Sequence, residues 1–321
     1  MNFIVTEMTF MRYFMPLILE GNKRSIKSRI FIKPNAKYNN PFLFNDDFKK
    51  ISHDHKVDIL DLSQVNEYPD NTFLIEGCGV DSIKYADKKY SITYMTDCTL
   101  SYKKYIDKVD HVIMPSKAFA EYCGNLSDKN LYLGSPKYDA VLDPSTIYEK
   151  YGLTHTKKAL VIFPRNRDLK KIDMGKIYDT LRSMGYQILV KTRGKDPVKD
   201  KLLRGDQYFI DESWFPHTTM ELIEVSDIVI NFSSTSIKEC VLLKTPLINF
   251  DVKSFDLLLN FLYDYPYCEQ IKLNFSSQEM SEAIKKLENS NHDEHFNNAI
   301  ERFLFKKEGT CGRILDKLGI E

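Results

Sequence analysis

The chain has 321 residues, which is enough for about two domains of ordinary size. Its 45 Lys and Arg balance its 45 Asp and Glu, so it lacks the bulk positive charge of a nucleic-acid-binding protein, and no such partner is expected. Hydrophobic residues make up 43% of the chain, which excludes a disordered protein. No apolar run reaches the roughly 18 residues of a membrane span. The six cysteines lie far apart with no CxxC pair, which is typical of reduced thiols in a cytoplasmic protein.

The first part of the chain alternates short apolar runs with polar stretches. Six runs have the length and composition of strands: 3–5, 30–32, 57–62, 72–75, 91–95 and 111–114. Some intervening segments are long enough for helices, for example 102–108 and 116–122. This rhythm is typical of βαβ units, whose parallel strands are buried on both faces of the sheet.

From residue 158 the alternation becomes more regular. Strands are predicted at 159–163, 187–190, 227–230 and 247–250, and helices at 174–184, 219–225 and 236–243. The stretch 134–156 contains proline and glycine and lies where a linker between domains is expected. The charged stretch 281–318 has helical spacing. The sequence therefore predicts two α/β domains with a cleft between them, and ligands of such sheets bind beyond the carboxyl ends of the strands.

A turn of small hydroxyl residues follows the predicted strand 227–230. It consists of Ser233, Ser234, Thr235 and Ser236, and a helix is predicted to begin there. Such a turn favours phosphate binding, because small residues let a ligand reach the backbone and the helix dipole favours an anion. Glu239 lies in the first helical turn, where its carboxylate could accept hydrogen bonds from two ribose hydroxyls. The alternative is a serine-rich helix cap, with Glu239 complementing the dipole.

The spacing of these residues resembles the nucleotide-binding motif of GT-B enzymes. Ser233 is followed by an acid six residues on, at Glu239, and by a proline seven further, at Pro246. This pattern is similar to that of the bacterial CDP-glycerol glycerophosphotransferases of teichoic-acid synthesis and of the UDP-N-acetylglucosamine 2-epimerases. Other segments resemble these enzymes in the same order: 134–139, 151–153, 158–164 and 191–196.

The resemblance implies a GT-B architecture, with two Rossmann-like domains that face each other across a cleft. We expect an acceptor domain at 1–140, a nucleotide-donor domain at 157–300, and a C-terminal helix at 301–321 that returns to the first domain. GT-B enzymes work without a metal or other cofactor, and their substrate here would be a UDP- or CDP-linked donor. The sequence agrees, because it has no DxD triplet and no ligands at zinc spacing.

Three loops are expected to bind the donor. Arg165 and Arg193 follow neighbouring predicted strands, and guanidinium groups fit phosphate oxygens bidentately, so they could clamp a diphosphate. A solvated loop is the alternative for both. In GT-B enzymes the loop equivalent to the one before the predicted helix 219–225 packs on the nucleobase. The resemblance therefore implies that Trp214 or Phe215 stacks on the base. The alternative is that these side chains pack in the core.

The resemblance also implies a catalytic base, a histidine or carboxylate at the cleft edge of the first domain. The stretch 92–100 departs from the W-H-G segment of the glycerophosphotransferases and places Asp97 where the histidine stands. Glu76 and Glu7 also follow predicted strands, and a positioned carboxylate suits proton abstraction from a hydroxyl. Two glycines beside Glu76 would let a ligand approach the backbone. We rank the candidates Asp97, Glu76, Glu7, each with a capping or supporting role as its alternative.

Residues 21–37 contain six basic residues and no acid. Four of them are expected to attract an anionic acceptor, either a phosphorylated glycan or a lipid-linked one: Lys23, Arg24, Lys27 and Arg29. Such a surface would also support peripheral contact with the inner face of an anionic membrane. The alternative is an ordinary solvated face.

The leading hypothesis is a metal-independent cytoplasmic transferase. It would move a sugar, or glycerol phosphate, from a nucleotide-activated donor to a glycan or lipid-linked acceptor in cell-surface polysaccharide synthesis. A 2-epimerase-like isomerase is one alternative, although the G-H-x-E-A-G segment of those enzymes is not found in this sequence. A non-catalytic nucleotide-binding module is the other, and it would keep the serine turn but lack a working base.

Overall fold

A computed structural model of the chain describes residues 1–32, 46–62, 68–94, 98–192, 204–210, 215–252, 260–304 and 309–321. The chain forms two compact units, Met1–Ala140 with Arg302–Glu321, and Val141–Glu301. Each unit is built on its own sheet of parallel strands. Among the described residues, no helix is long and apolar enough to cross a membrane.

The first unit contains a seven-stranded sheet. Its strands in chain order are β1 (Asn2–Val5), β2 (Arg29–Ile32), β3 (Asp58–Asp61), β4 (Tyr68–Ile75), β5 (Ala86–Ile92), β6 (His111–Met114) and β7 (Asn130–Tyr132). Their order in space is β3-β2-β1-β4-β5-β6-β7, so the direction of winding reverses between β1 and β4. The sequence pattern misses only β7, whose three residues are too few to show a pattern.

In the described part of this unit, strands of the sheet are connected by the helices α1 (Met11–Lys23), α2 (Asp46–His55), α3 (Cys98–Tyr105) and α4 (Lys117–Tyr122). The apolar side of α1 is buried although Pro16 lies inside the helix. Phe14 of α1 packs on Phe3 of β1 with ring centroids 5.1 Å apart, and Phe3 stacks on Phe73 of β4. The apolar residues of α1 therefore belong to the core of the unit.

The second unit contains a six-stranded sheet in the order β10-β9-β8-β11-β12-β13. Its strands are β8 (Lys158–Ile162), β9 (Gln187–Lys191), β10 (Gln207–Phe209), β11 (Ile228–Asn231), β12 (Leu247–Phe250) and β13 (Cys268–Ile271). The apolar runs predict the four central strands, because those strands are buried on both faces. They miss β10 and β13, which lie at the edges and carry polar residues.

The described residues of this unit form the helices α5 (Pro144–Tyr151), α6 (Met174–Ser183), α7 (Thr218–Glu224), α8 (Ile237–Leu242), α9 (Asn260–Tyr263), α10 (Ser277–Glu288) and α11 (Asp293–Ala299). A π-helical stretch, Ile300–Leu304, continues α11. Counted within each unit, both sheets place the first six strands in the order 3-2-1-4-5-6, which is the doubly wound Rossmann arrangement. The prediction of two Rossmann-like α/β sheets is confirmed.

The predicted linker 134–156 is too long, because it contains α5. The signals for this helix lie at its ends. Asp143 accepts hydrogen bonds from two N–H groups of the first turn, and Gly152 ends the helix with φ +60°. The buried Glu221 of α7 accepts hydrogen bonds from Lys150 Nζ, at 2.8 and 2.9 Å, and from Tyr151 Oη, at 2.6 Å. These contacts hold α5 on the second unit.

The last helix, α12 (Thr310–Leu318), packs on the first unit. The carboxylate of Asp139 accepts hydrogen bonds from the N–H groups of Thr310, at 3.0 Å, and Cys311, at 2.7 Å. Ser116 Oγ donates to the carbonyl oxygen of Phe303 at 3.0 Å. Asp139 therefore acts as a helix cap supplied from a distant part of the chain.

Asp139→Ala removes the acceptor for both N–H groups. We expect the free energy of unfolding of the first unit to fall by about 1–2 kcal/mol, the usual contribution of a helix cap. Urea denaturation followed by circular dichroism measures the change, and hydrogen exchange of the α12 amides shows where it arises. Asp143→Ala, which removes the cap of α5, is the matched control and should weaken the second unit instead. Wild-type exchange at the start of α12 in Asp139→Ala would contradict the cap.

Candidate functional site

The carboxyl ends of β8 and β11 lie side by side in the second sheet. From β8 the sheet continues to β9 and β10, whereas from β11 it continues in the opposite direction to β12 and β13. Doubly wound sheets bind their ligands where the winding reverses, beyond the carboxyl ends of the strands. The segments that follow these strands, 163–167 and 232–236, are therefore the candidate site.

Four hydroxyl residues, Ser233–Ser236, form a partly exposed turn after β11, which we call the serine turn. Ser233 has φ +49°, a left-handed conformation that costs an L-residue about 1–2 kcal/mol. Its N–H donates to Asn249 Oδ1 at 2.9 Å. No acceptor among the described residues takes the N–H of Ser234 or Thr235. The Ser233 hydroxyl donates to the carbonyl oxygen of Phe250 at 3.4 Å. The two N–H groups and the hydroxyls of the other three residues are therefore the donors that the turn can offer to an anion.

The helix that follows the serine turn is short, since α8 runs only from Ile237 to Leu242. Ser236 precedes it and makes no capping hydrogen bond through its side chain. Its Oγ lies 3.2 Å from Ser234 Oγ. The predicted helix is confirmed to within one residue at each end, but its few peptide dipoles give a weak field. The groups of the turn itself, and not a helix end, are therefore the main anion donors.

Glu239 lies in the first turn of α8, and its side chain is 3% exposed. Its Oε1 is 3.6 Å from Nε2 of His217, which is equally buried and directly precedes α7. The pair joins the starts of two neighbouring helices and limits the orientations of the carboxylate. The sequence did not reveal His217, because 22 positions separate it from Glu239. Its place directly before a predicted helix was the one available signal.

Two basic residues lie near the carboxyl ends of adjacent strands. Arg165 is half-buried in the loop after β8. Lys191 is the last residue of β9, is 4% exposed, and donates from Nζ to the carbonyl oxygen of Thr192 at 2.7 Å. Arg167 is exposed and its Nε lies 3.4 Å from Oδ2 of the buried Asp168, so its charge is paired with that carboxylate. The half-buried and buried cations, Arg165 and Lys191, are the better placed of these to face an anion at the strand ends.

In the first unit, Glu7 and Glu76 follow β1 and β4, the two strands at which the winding of that sheet reverses. Glu76 has φ +47°, and its Oε1 accepts a hydrogen bond from the N–H of Tyr94 at 2.9 Å. Glu7 Oε2 accepts a hydrogen bond from Thr9 Oγ1 at 3.2 Å. Each carboxylate therefore lies where the winding of the first sheet reverses, and each is oriented by a hydrogen-bond donor of the same unit.

No protein-family model matches the sequence, and no curated protein matches it. Solved structures do match almost the whole chain. The UDP-GlcNAc 2-epimerase of Methanocaldococcus jannaschii, in complex with UDP-GlcNAc and UDP, gives a TM-score of 0.64 at 12% identity, over 100% of this chain and 99% of that chain. The wall teichoic acid polymerase TagF with CDPG gives 0.67 at 14% identity, over 99% and 88%. The glycotransferase of kitacinnamycin gives 0.61 at 8% identity, over 99% and 97%.

The chain has a GT-B type fold. The resemblance drawn from the serine turn and the segments around it is confirmed for the fold. The names of these three neighbours cover an epimerase, a polymerase and a glycotransferase. A GT-B fold therefore supports several reactions, and the reaction of this chain depends on its own site residues.

Two glycines beside Glu76 serve packing in this GT-B fold. A Cβ on Gly77 would lie 2.4 Å from Tyr105 Cβ, and one on Gly79 would lie 2.9 Å from Ile4 Cγ2. Both residues also have positive φ, +72° and +85°. Side chains of the unit itself occupy the space that a Cβ would take at either position, so packing and backbone conformation account for both glycines. Close approach of a ligand to this backbone stays a prediction.

The basic stretch of the first unit is neutralised by carboxylates. The nearest pairs are Lys23 with Glu20 at 3.3 Å, Arg24 with Glu20 at 3.2 Å and with Asp316 at 2.5 Å, Lys27 with Asp58 at 2.8 Å, and Arg29 with Asp70 at 3.0 Å. The acids belong to α1, β3, β4 and α12. All of them lie outside residues 21–37, so the composition of that segment does not show them. The described part of this surface therefore has little excess positive charge with which to attract an anionic acceptor or membrane.

Three predicted site residues lie outside the described residues: Arg193, Trp214 and Asp97. Phe215 is described and lies half-buried in the turn before α7. Among the residues that the structure describes, no group of three or more His, Cys, Asp or Glu could hold a metal ion.

The contact between His217 and Glu239 predicts energetic coupling between the starts of α7 and α8. His217→Asn and Glu239→Gln each remove one ionisable partner with little change in volume. We expect the effects of the two substitutions on the free energy of unfolding to be non-additive by about 1–3 kcal/mol, as for buried polar neighbours. Urea denaturation of both single variants and the double variant measures this coupling.

The control pairs Glu239→Gln with His155→Asn, a histidine that stacks on Tyr148 of α5. That combination should be additive. Additivity in the His217 cycle as well would show that the contact contributes nothing to stability.

Proposed function

We propose that this chain is a transferase that binds a nucleotide-activated donor at the serine turn. It would move a sugar, or glycerol phosphate, to an acceptor in cell-surface polysaccharide synthesis. The observation that carries the proposal is the turn itself, which offers hydroxyls and two N–H groups where the second sheet reverses its winding. The neighbours support it, since their names include UDP-GlcNAc with UDP, CDPG, and a glycotransferase.

The donor would be held by groups of different chemistry. In this proposal the N–H and hydroxyl groups of the serine turn bind the diphosphate, and Arg165 and Lys191 add positive charge. Glu239 accepts hydrogen bonds from the ribose hydroxyls and is oriented by His217. The loop before α7 supplies Phe215 to the nucleobase. Arg193 and Trp214, outside the described residues, remain proposals for the diphosphate and the base.

The transfer step places charge on the leaving group. An acceptor hydroxyl attacks the donor. For a sugar, the bond between the sugar and the diphosphate breaks and a nucleoside diphosphate leaves; for glycerol phosphate, the bond between the two phosphates breaks and a nucleoside monophosphate leaves. In both cases negative charge grows on the departing nucleotide. Donors arranged in advance around that charge lower the barrier, because they do not reorganise during the step. The acceptor hydroxyl loses its proton to a carboxylate of the first unit, and the proposed candidates are Glu76, Glu7 and the undescribed Asp97. No cofactor is needed for this sequence of events.

An epimerase is the second candidate, favoured by the similarity to the Methanocaldococcus jannaschii 2-epimerase over both whole chains. A third candidate is a nucleotide-binding module without a catalytic base. The hydrogen bonds that Glu76 and Glu7 accept within their own unit favour it, because they suit carboxylates with a structural role. Incubation with UDP-GlcNAc alone and with a glycan acceptor separates the three. Transfer that needs the acceptor supports the transferase, isomerisation without an acceptor supports the epimerase, and binding without turnover supports the module.

The first experiment is a calorimetric binding screen of the whole chain with UDP, CDP, GDP and dTDP. We expect one or two of these to bind, and Glu239→Ala to weaken that binding by about 1–3 kcal/mol through loss of a charge-assisted hydrogen bond. Wild type should also prefer the ribonucleotide over its 2′-deoxy analogue, whereas Glu239→Ala should not. Glu279→Ala, at the exposed start of α10, is the control. Failure of all four nucleotides to bind wild type would overturn the proposed function.

Arg165→Ala tests the charge on the leaving group. We expect kcat to fall by about 10²-fold or more, because the guanidinium faces charge that grows in the transition state. Arg167→Ala changes an exposed arginine of the same loop that pairs with Asp168, and it should behave as wild type. A rise in KM at constant kcat would instead assign Arg165 to binding in the ground state.

A further inference from the structure

The serine turn is supported by three buried polar side chains from three elements. Asn231 ends β11 and is 0% exposed, Asn249 lies in β12 and is 2% exposed, and Tyr263 ends α9 and is 6% exposed. A buried amide or phenol is costly unless it is hydrogen-bonded, so the partners of these groups show what the site requires.

Hydrogen bonds connect the three side chains to one another. Asn231 Nδ2 donates to Asn249 Oδ1 at 3.1 Å and to Tyr263 Oη at 3.0 Å. Asn231 is thus the centre of the cluster, and its amide sets the position of an oxygen on each of the other two side chains.

Both of those oxygens then bind the backbone of the serine turn. Asn249 Oδ1 accepts the N–H of Ser233 at 2.9 Å, and Tyr263 Oη donates to the carbonyl oxygen of Ser234 at 2.9 Å. One N–H and one C=O of adjacent residues are therefore held by the cluster. This explains how Ser233 keeps a left-handed backbone that an isolated serine would leave.

The cluster carries no charge. Its two amides are neutral, and burial raises the pKa of the Tyr263 phenol well above its usual value, so the hydroxyl keeps its proton. An aspartate at position 249 would have nearly the same shape and could accept the same hydrogen bonds. It would also place a negative charge beside the N–H groups of the turn. Burial by itself favours the neutral amide, because a carboxylate would be costly at a position that is 2% exposed. The neutral side chain also keeps a negative charge away from the N–H groups of the turn, which suits an anionic ligand.

We propose that Asn231, Asn249 and Tyr263 are positioning residues for the donor diphosphate: they set the backbone of the serine turn, and their neutrality lets the turn accept an anion. This inference rests on the proposed function, in which the turn binds the diphosphate.

Asn249→Asp tests the role of charge. The variant keeps the size of the side chain and its acceptor oxygen. We expect affinity for the nucleoside diphosphate that wild type binds best to fall by at least about tenfold. Affinity for the matching monophosphate should fall less, and affinity for the matching nucleoside should stay unchanged. Titration calorimetry measures the first two, and displacement of the diphosphate measures the nucleoside. A merely structural role would not produce a loss that increases with ligand charge.

Tyr263→Phe tests the role of position without any change of charge. Loss of the hydroxyl removes the shorter of two hydrogen bonds to the Ser234 carbonyl and leaves only Asn231 Nδ2, at 3.5 Å. Diphosphate affinity should fall by about threefold to tenfold, with nucleoside affinity unchanged. Tyr90→Phe is the matched control, because it removes another buried tyrosine hydroxyl that donates to an asparagine, Asn71 Oδ1 at 2.9 Å, in the first unit. It should leave all three affinities as in wild type.

Equal losses for nucleoside and diphosphate in Asn249→Asp would overturn the inference, and so would unchanged diphosphate affinity. Near-ultraviolet circular dichroism and thermal melting establish that each variant is folded. If Asn249→Asp does not fold, Tyr263→Phe decides, and wild-type diphosphate affinity in that variant overturns the inference. Wild type that binds no nucleotide overturns the proposed function together with this inference. Wild type that binds while the variants bind equally well overturns this inference alone.

Discussion

The outward winding of a parallel sheet from two central strands is the constraint on which the rest of this molecule depends. Because β8 and β11 send the chain in opposite directions, the segments after them diverge from the carboxyl ends of two neighbouring strands, which is where doubly wound sheets bind ligands. The serine turn, Arg165 and the start of α8 follow directly from those two strands. The topology of the second sheet thus brings the candidate site residues together at one edge of the sheet, whatever their side chains are.

Both sheets have this winding, yet their reversal points differ in chemical character. The first unit places the carboxylates Glu7 and Glu76 after β1 and β4. The second places hydroxyls and a half-buried guanidinium after β11 and β8. The same backbone arrangement thus presents acidic groups in one unit and hydrogen-bond donors with a positive charge in the other.

The sequence predicts those features of this fold that depend on neighbours along the chain. Strands buried on both faces, such as β8 and β11, have continuous apolar runs, and the serine turn stands out because its residues are consecutive. The edge strands β10 and β13 and the capped helix α5 lack such runs. Contacts between distant positions were not visible either, and these include the pairing of His217 with Glu239 and of Arg24 with Asp316. The charges of residues 21–37 taken alone therefore described that surface poorly, because the acids that balance them come from elsewhere in the chain.

Asp139 of the first unit caps α12, which is made after the second unit, and this affects the order in which the two units complete their folding during synthesis. Residues 141–301 leave the ribosome before residues 302–321, so all of the second unit is available for folding while the first still lacks its last helix. Until then, the side of α1 against which α12 packs stays uncovered, and apolar surface is exposed. The first unit, although begun first, is completed last.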